Sequence, residues 1–347
     1  NPWPKPITVY GYDDTFALAG DLFEAETDCT KEHNMGQVAS QLNNLAFYSR
    51  KPPITEPILQ NTADSTSHLY NKSKTYVTII IGDGDNIEFM KGSRRDWMKD
   101  RVARCAVDKS QRGCFPLTWT ISPHLLYLAP DWLRWYYHQS YATSHDYFVL
   151  PPSGHTYAYP GMMLQEDQRR FVRLTVEDAH LLNTSGIVAC EFMGYWHHAI
   201  NEYFPRYSEQ NVVRGLFGVN VPYMIPVAEF GFREQFKVLG KEGNVVLFRP
   251  NEWRGSKDCS KQSVINAAIC REHFKNATEM SAHINSFQPG TVAAFYTTSD
   301  GGMDMQLIYD TVKLLEDHVE VVNQEVLVEM ALASAKHADS GADAVVV

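Results

Sequence analysis

Tyr76-Val-Thr-Ile-Ile-Ile-Gly-Asp-Gly-Asp-Asn-Ile-Glu88 is the stretch that decides the fold. Its first half is apolar and β-branched, the composition of a strand covered on both faces, as in a parallel sheet. It then runs into two carboxylates and an amide set among glycines. A buried strand has little reason to end this way unless its end opens onto a polar site. In parallel α/β folds the carboxyl ends of strands are where ligands sit.

Working outward, strand-like runs recur at 117–121, 147–150, 186–191, 214–220, 244–248 and 292–297. Helical periodicity fills the gaps at 93–105, 131–139, 165–182 and 304–318. Strands separated by helix-sized gaps imply βα units and a parallel sheet. With 319–322 or the N-terminal run at Ile7 as an eighth strand, the pattern predicts an α/β fold: an irregular, TIM-like (β/α) barrel of seven to eight strands. The rival is a doubly wound open sheet, but Gly82-Asp-Gly-Asp-Asn-Ile lacks the third glycine of a dinucleotide turn. Residues 1–75 read as a strand, a helix near 35–48 and a linker packing on the barrel. Residues 76–337 read as the barrel domain and 338–347 as a tail.

The chain has 347 residues, 44% of them hydrophobic and 21% charged, the balance of a packed globular protein. Its net charge of −10 argues against nucleic acid and anionic membrane as partners, since both require clustered cations. No run reaches the length of a membrane span. Six cysteines lack any Cys-x-x-Cys pair. Cys105/Cys114 and Cys259/Cys270 read as local staples, leaving Cys29/Cys190 as a long-range candidate, although the count alone does not fix the pairing. Asn71, Asn183 and Asn276 head glycosylation sequons. Sequons and an even cysteine count together point to a secreted or lumenal protein.

A barrel would gather the residues that follow each strand. Asp83 and Asp85 share parity with Ile79 and Ile81, so an extended strand would present both on one face. Glu191 ends another strand. Glycoside hydrolysis needs a carboxylic acid for the leaving oxygen and a carboxylate as base or nucleophile. Asp83 or Asp85 with Glu191 would supply them, Glu191 as acid if aromatic packing raises its pKa. Asn86, His124, His155, Tyr157, Tyr159, Trp196, Asn220, Arg249, Trp253 and Asp300 are the accompanying substrate-binding candidates. Amides and arginine would orient hydroxyls, and aromatic faces would cover a sugar ring. Trp119, in mid-strand, reads as core.

No cofactor is called for. A divalent cation at Asp83/Asp85, completed by a histidine such as His124 or His155, is the metal-dependent deacetylase alternative. No His-x-x-x-His or His-Glu-x-x-His spacing accompanies it. The bland alternative for the aspartates is capping of the following helix. No Gly-x-Ser-x-Gly elbow supports a serine nucleophile.

Pro151-Pro-Ser-Gly-His-Thr-Tyr-Ala-Tyr-Pro160 resembles the signature of the GxGYxYP family of glycoside hydrolase-like proteins. Gly154, Tyr157, Tyr159 and Pro160 match, while Thr156 stands where the second glycine is expected. The Asp83–Asn86 strand end and the stretches 116–123 and 219–223 are similar as well. The resemblance implies a barrel-like domain and carbohydrate as partner, but no settled catalytic pair. A non-catalytic carbohydrate-binding or structural glycoprotein on the same scaffold is the alternative.

Overall fold

A computed structural model describes residues 45–61, 69–191, 194–220, 231–253, 276–298 and 303–342. The expected strand at Ile7 and the body of the helix near 35–48 lie outside these residues, as do Cys29, Cys259, Cys270, Asp300 and the stretch 221–223.

The quoted stretch forms β1 (Thr75–Ile81), and every residue of it is buried. The other predicted runs also form strands: β2 (Leu117–Thr120), β3 (Asp146–Val149), β4 (Gly186–Glu191), β5 (Gly215–Asn220), β7 (Val245–Phe248) and β9 (Val292–Thr297). Three more were less legible: β6 (Phe236–Leu239), β8 (Asn251–Trp253) and β10 (Val319–Val321). The helices are α1 (Ser93–Val107), α2 (Pro130–Thr143), α3 (Gln165–Leu181), α4 (Ala277–Asn285), α5 (Met305–Lys313) and α6 (Gln324–Ala342). The expected tail boundary at 338 falls inside α6.

The strands form two sheets. One runs β3-β2-β1-β9-β8 with β10 also on β1, all parallel, and the other runs β4-β5-β7-β6, where only β6 is antiparallel. Two links join them. The Leu150 N–H donates to Gly186 O at 3.0 Å and the Val188 N–H to Leu150 O at 2.9 Å, which ties β3 to β4. At the other side only Arg249 and Pro250 separate β7, which pairs with β5, from β8, which pairs with β9. This is a mixed α/β fold of parallel strands covered by helices; the pairings do not amount to a complete TIM barrel.

Alternation along β1 divides the core in two. Val77, Ile79 and Ile81 pack with Met98 of α1, Leu133 and Tyr137 of α2 and Phe171 of α3. Tyr76 and Ile80 face a second cluster containing Val188, Phe217, Val246 and Tyr296, closed by Val326, Leu327 and Met330 of α6. Each fully buried isoleucine contributes about 2 kcal/mol. The segment before β1 lies on the helical layer: the Ile54 N–H donates to Leu126 O and the Ile58 N–H to Leu181 O, both at 2.8 Å.

Cys105 and Cys114 form a disulfide. Cys190 is buried in the second cluster, and its proposed partner Cys29 is outside the described residues. Asn71 and Asn276 are exposed, and Asn276 caps α4 by accepting the Glu279 N–H at 2.9 Å. Asn183 is half-buried in the turn after α3. Among the described residues no helix is long and apolar enough to cross a membrane.

Candidate active site

At the end of β1 the Ile81 carbonyl is taken by two side chains, the Thr120 hydroxyl at 3.0 Å and Arg94. Arg94, on α1 and fully buried, donates from Nη1 to Ile81 O at 3.2 Å and to Gly82 O, and from Nη2 to Thr120 O. Its guanidinium also lies 5.5 Å from the Trp119 ring centroid. One side chain thus fastens the ends of β1 and β2. The chain then turns sharply, with Asp83 in the left-handed region at φ 61°. Gly84 donates its N–H to Thr120 Oγ1 at 2.8 Å, so close that a Cβ there would lie 2.0 Å from Thr120 O. The extended parity expected for Asp83 and Asp85 therefore does not hold: the strand has ended before either residue.

Asp85 is half-buried and lines a small cleft at the ends of β1, β2 and β3. Burial pushes its carboxyl up to about 6, with its own backbone N–H and the Arg94 charge pulling it down less strongly. Arg94 also feels the charge of Asp83, which is nearly buried. The cation these two aspartates face is therefore supplied by the protein itself. Among the described residues, no group of three His, Cys, Asp or Glu side chains is arranged to hold a metal ion.

His124 and His155 line the same cleft, with Ser122 and Tyr157. His124 is 6% exposed, and its Nδ1 is hydrogen-bonded to the Tyr127 hydroxyl. Its Nε2 has no hydrogen-bond partner among the described residues. Burial, reinforced by neighbouring His155, lowers its pKa to about 3, with the His155 backbone acting weakly against this. His124 is therefore a neutral imidazole at any ordinary pH. His155 places Nδ1 2.6 Å from Asp178 Oδ2 on α3, and its backbone N–H donates to Thr175 Oγ1 at 3.1 Å. Burial raises the Asp178 pKa while His155 opposes the rise. The two imidazoles are 5.4 Å apart, and the cleft has a volume of about 10 Å³, the scale of one water molecule.

The family profile described as "GxGYxYP putative glycoside hydrolase C-terminal domain" matches residues 73–332. The chain belongs to the GxGYxYP family. No curated protein matches it. Among solved structures it is similar to "a putative hydrolase" from Bacteroides thetaiotaomicron VPI-5482, with a TM-score of 0.66 at 20% identity over 90% of this chain and 55% of that one. The chain thus spans about half the length of that relative, and the likeness is one of fold. A "4-alpha-glucanotransferase" from Thermococcus litoralis gives a TM-score of 0.45 at 8% identity, covering 74% of this chain and 40% of that one. A "putative polysaccharide deacetylase" from Mycobacterium smegmatis gives 0.47 at 11%, covering 81% and 95%. Likeness at these two levels says nothing about this chain's chemistry.

The GxGYxYP motif has a structural reading residue by residue. Gly154 sits at φ 116°, and a Cβ there would lie 2.5 Å from Thr175 Cγ2, so both conformation and space require glycine. Thr156 is not among the left-handed residues, which is why threonine is tolerated at the motif's second glycine. Tyr157 reaches the cleft. Tyr159 is fully buried in the second cluster, so it presents no face to a ligand. Pro160 opens a single 3-10 turn, Pro160–Met162. Ser153 Oγ donates to Ala158 O at 2.6 Å and accepts the Cys190 N–H at 3.1 Å, tying the loop to β4.

The remaining candidates are not drawn into the cleft. Glu191 is fully buried on the helical side of β4 and receives the Gly161 N–H; burial raises its pKa well above the ordinary value. Trp196 and Trp253 were expected as stacking faces, but both are fully buried in the first cluster, where the bulk of an indole gains most from leaving water. Arg249 donates to Glu234 O at 3.3 Å and Arg233 O at 2.9 Å, bracing β6. Asn220 ends β5, and Asn86 precedes the helical turn Ile87–Lys91. Trp119 is core as expected, its Nε1 donating to Asp146 at 2.7 Å.

Sequence reasoning missed Arg94, Tyr127 and Asp178. Arg94 had a signal: with Arg101 seven residues on, it lies on the apolar face of α1, and both are fully buried. Asp178 had none, being one charge among many on α3.

Proposed function

We propose that this domain is a secreted glycoside hydrolase working in the cleft at the ends of β1, β2 and β3, with Asp85 as its proton-transferring acid. The observation that carries this is the place of Asp85, in a cleft shared with two histidines and a tyrosine, where burial pushes its carboxyl up to about 6. A carboxyl poised there is protonated often enough to donate and ionised often enough to accept. Family membership supports glycosides as the substrate class. The Cys105–Cys114 disulfide and the exposed Asn71 and Asn276 support an oxidising, extracytoplasmic setting. In this reading the strands form an irregular ring of seven, with β7 and β8 as one bent strand closing it. Glu191, which the cleft lining does not include, holds the motif loop through Gly161.

The test is a panel of polysaccharides and oligosaccharides assayed for release of reducing ends, with wild type and Asp85→Asn. Turnover by wild type, reduced about 100-fold or more in the variant, is expected. No turnover on any glycoside, or equal turnover by both proteins, overturns the assignment.

A further inference from the structure

We infer that His155, oriented by Asp178, is the water-activating base in the cleft it shares with Asp85, an assignment that rests on the glycoside hydrolase reading. His155 Nδ1 lies 2.6 Å from Asp178 Oδ2, and an ionised Asp178 can only accept there. The neutral ring therefore carries its proton on Nδ1, and the lone pair sits on Nε2. Nε2 is the ring nitrogen left to do chemistry. The backbone is held as well, by the His155 N–H to Thr175 Oγ1 and by Gly154 seated against the same threonine. A base positioned at both ring and backbone is what proton abstraction requires.

The cleft supplies the rest. Asp85 and His155 line one space on the scale of a single water molecule. His124 lines the same cleft and is nearly buried, with its Nε2 making no side-chain hydrogen bond among the described residues. His155 contacts Asp178, Thr175 and Phe171 from α3 and His124 from the segment after β2, while Asp85 from the turn after β1 and Tyr157 of its own loop line the same cleft.

In the step, water forms a bond to the anomeric carbon as the bond from that carbon to the leaving oxygen breaks. His155 Nε2 takes the water's proton and Asp85 gives its own to the leaving oxygen. The products are a hemiacetal and an alcohol. The resulting imidazolium and carboxylate return to their starting states by exchange of one proton with solvent, so the cycle consumes only water. His155 and Asp85 act on the reacting atoms, and Asp178 is a positioning residue.

The experiment uses 2,4-dinitrophenyl glycosides, whose leaving group needs no proton, beside unactivated oligosaccharides, with azide as an external nucleophile. His155→Asn keeps a donor toward Asp178 and removes the base; His155→Ala opens space for azide. Thermal melts of each variant show whether it is folded. Expected are losses of about 100-fold or more for both His155 variants on both substrate types, and glycosyl azide formation by His155→Ala. Asp85→Asn should be slow only on unactivated substrates. Asp178→Asn should shift the acid limb of the kcat/KM pH profile, a change that a merely structural role would not produce. Wild-type rates in folded His155→Asn, with Asp85→Asn impaired, would overturn the dyad while leaving the cleft assignment standing. Absence of turnover by wild type on every glycoside would overturn both.

Discussion

The backbone N–H of Gly161 lies 3.0 and 2.9 Å from the two carboxyl oxygens of Glu191, inside a fully buried pocket. One donor offsets only part of the desolvation, so the Glu191 pKa is raised well above its ordinary value. The folded state then binds a proton that the unfolded chain releases. Stability is therefore greatest below the ordinary carboxylate value and falls as pH rises above it. Glu191→Gln, which keeps an acceptor for Gly161, should flatten this dependence in melts from pH 5 to 8. Glu191→Ala should cost about 1–3 kcal/mol by leaving that N–H unsatisfied.

Asp85 has the same sign in a defined window. Its pKa rises from 3.8 to about 6 on folding, so its contribution is lost between those values and constant above them. Asp85→Asn should therefore be more stable than wild type at pH 7, by up to about 3 kcal/mol, with the gap closing below pH 4. The variant should lose activity while gaining stability, the usual trade at a strained site. In wild type, kcat/KM should decline above about pH 6 as the acid ionises.

Arg94 is the fastener between β1 and β2. Arg94→Met removes donors from the carbonyls of Ile81, Gly82 and Thr120 and strands two aspartates without their cation. A loss of about 3–5 kcal/mol is expected in urea titrations. Arg94→Lys should recover only part of it, since an ammonium cannot fork between two strands.

Gly154→Ala should destabilise the motif loop by about 1–3 kcal/mol, from the φ of 116° and the contact with Thr175. Combining it with Thr175→Ala relieves the contact but not the backbone, so recovery in thermal melts should be incomplete.

Reduction of Cys105–Cys114, whose partners are 9 residues apart, should lower stability by about 2–3 kcal/mol. Matched melts with and without reductant, and with Cys105→Ser/Cys114→Ser, measure it.

The strands rich in β-branched residues were legible because both of their faces are buried, leaving uninterrupted apolar runs such as Thr75–Ile81. β6 was not, because its edge position leaves it half exposed and its pattern mixed. α6 was missed for another reason: Val326, Leu327 and Met330 mark its buried stripe, but the start is signalled only by Asn323, which accepts the Val326 N–H at 2.9 Å. In the site, Asp85, His124, His155 and Tyr157 were readable as polar residues following strands. Trp196 and Trp253 were misplaced because an aromatic after a strand has the same sequence signature in a mouth and in a core. The His155–Asp178 contact joins two elements 23 residues apart, and no spacing rule reaches that far across a loop and a helix.

β1 pairs along nearly its whole length with β9, and at its start with β10, while β2 meets it only at Ile80 and Ile81. Its main neighbours are therefore made long after it. At roughly 5–20 residues per second on the ribosome, a gap of roughly 200 residues keeps this strand waiting for roughly 10–40 s. Throughout that interval Thr75–Ile81 is a β-prone, apolar segment with at most its last two residues paired, the kind that recruits other chains. The sequence that seeds the fold is thus also its main liability during synthesis, and the domain's yield in a cell should depend on what shelters β1 until β9 emerges.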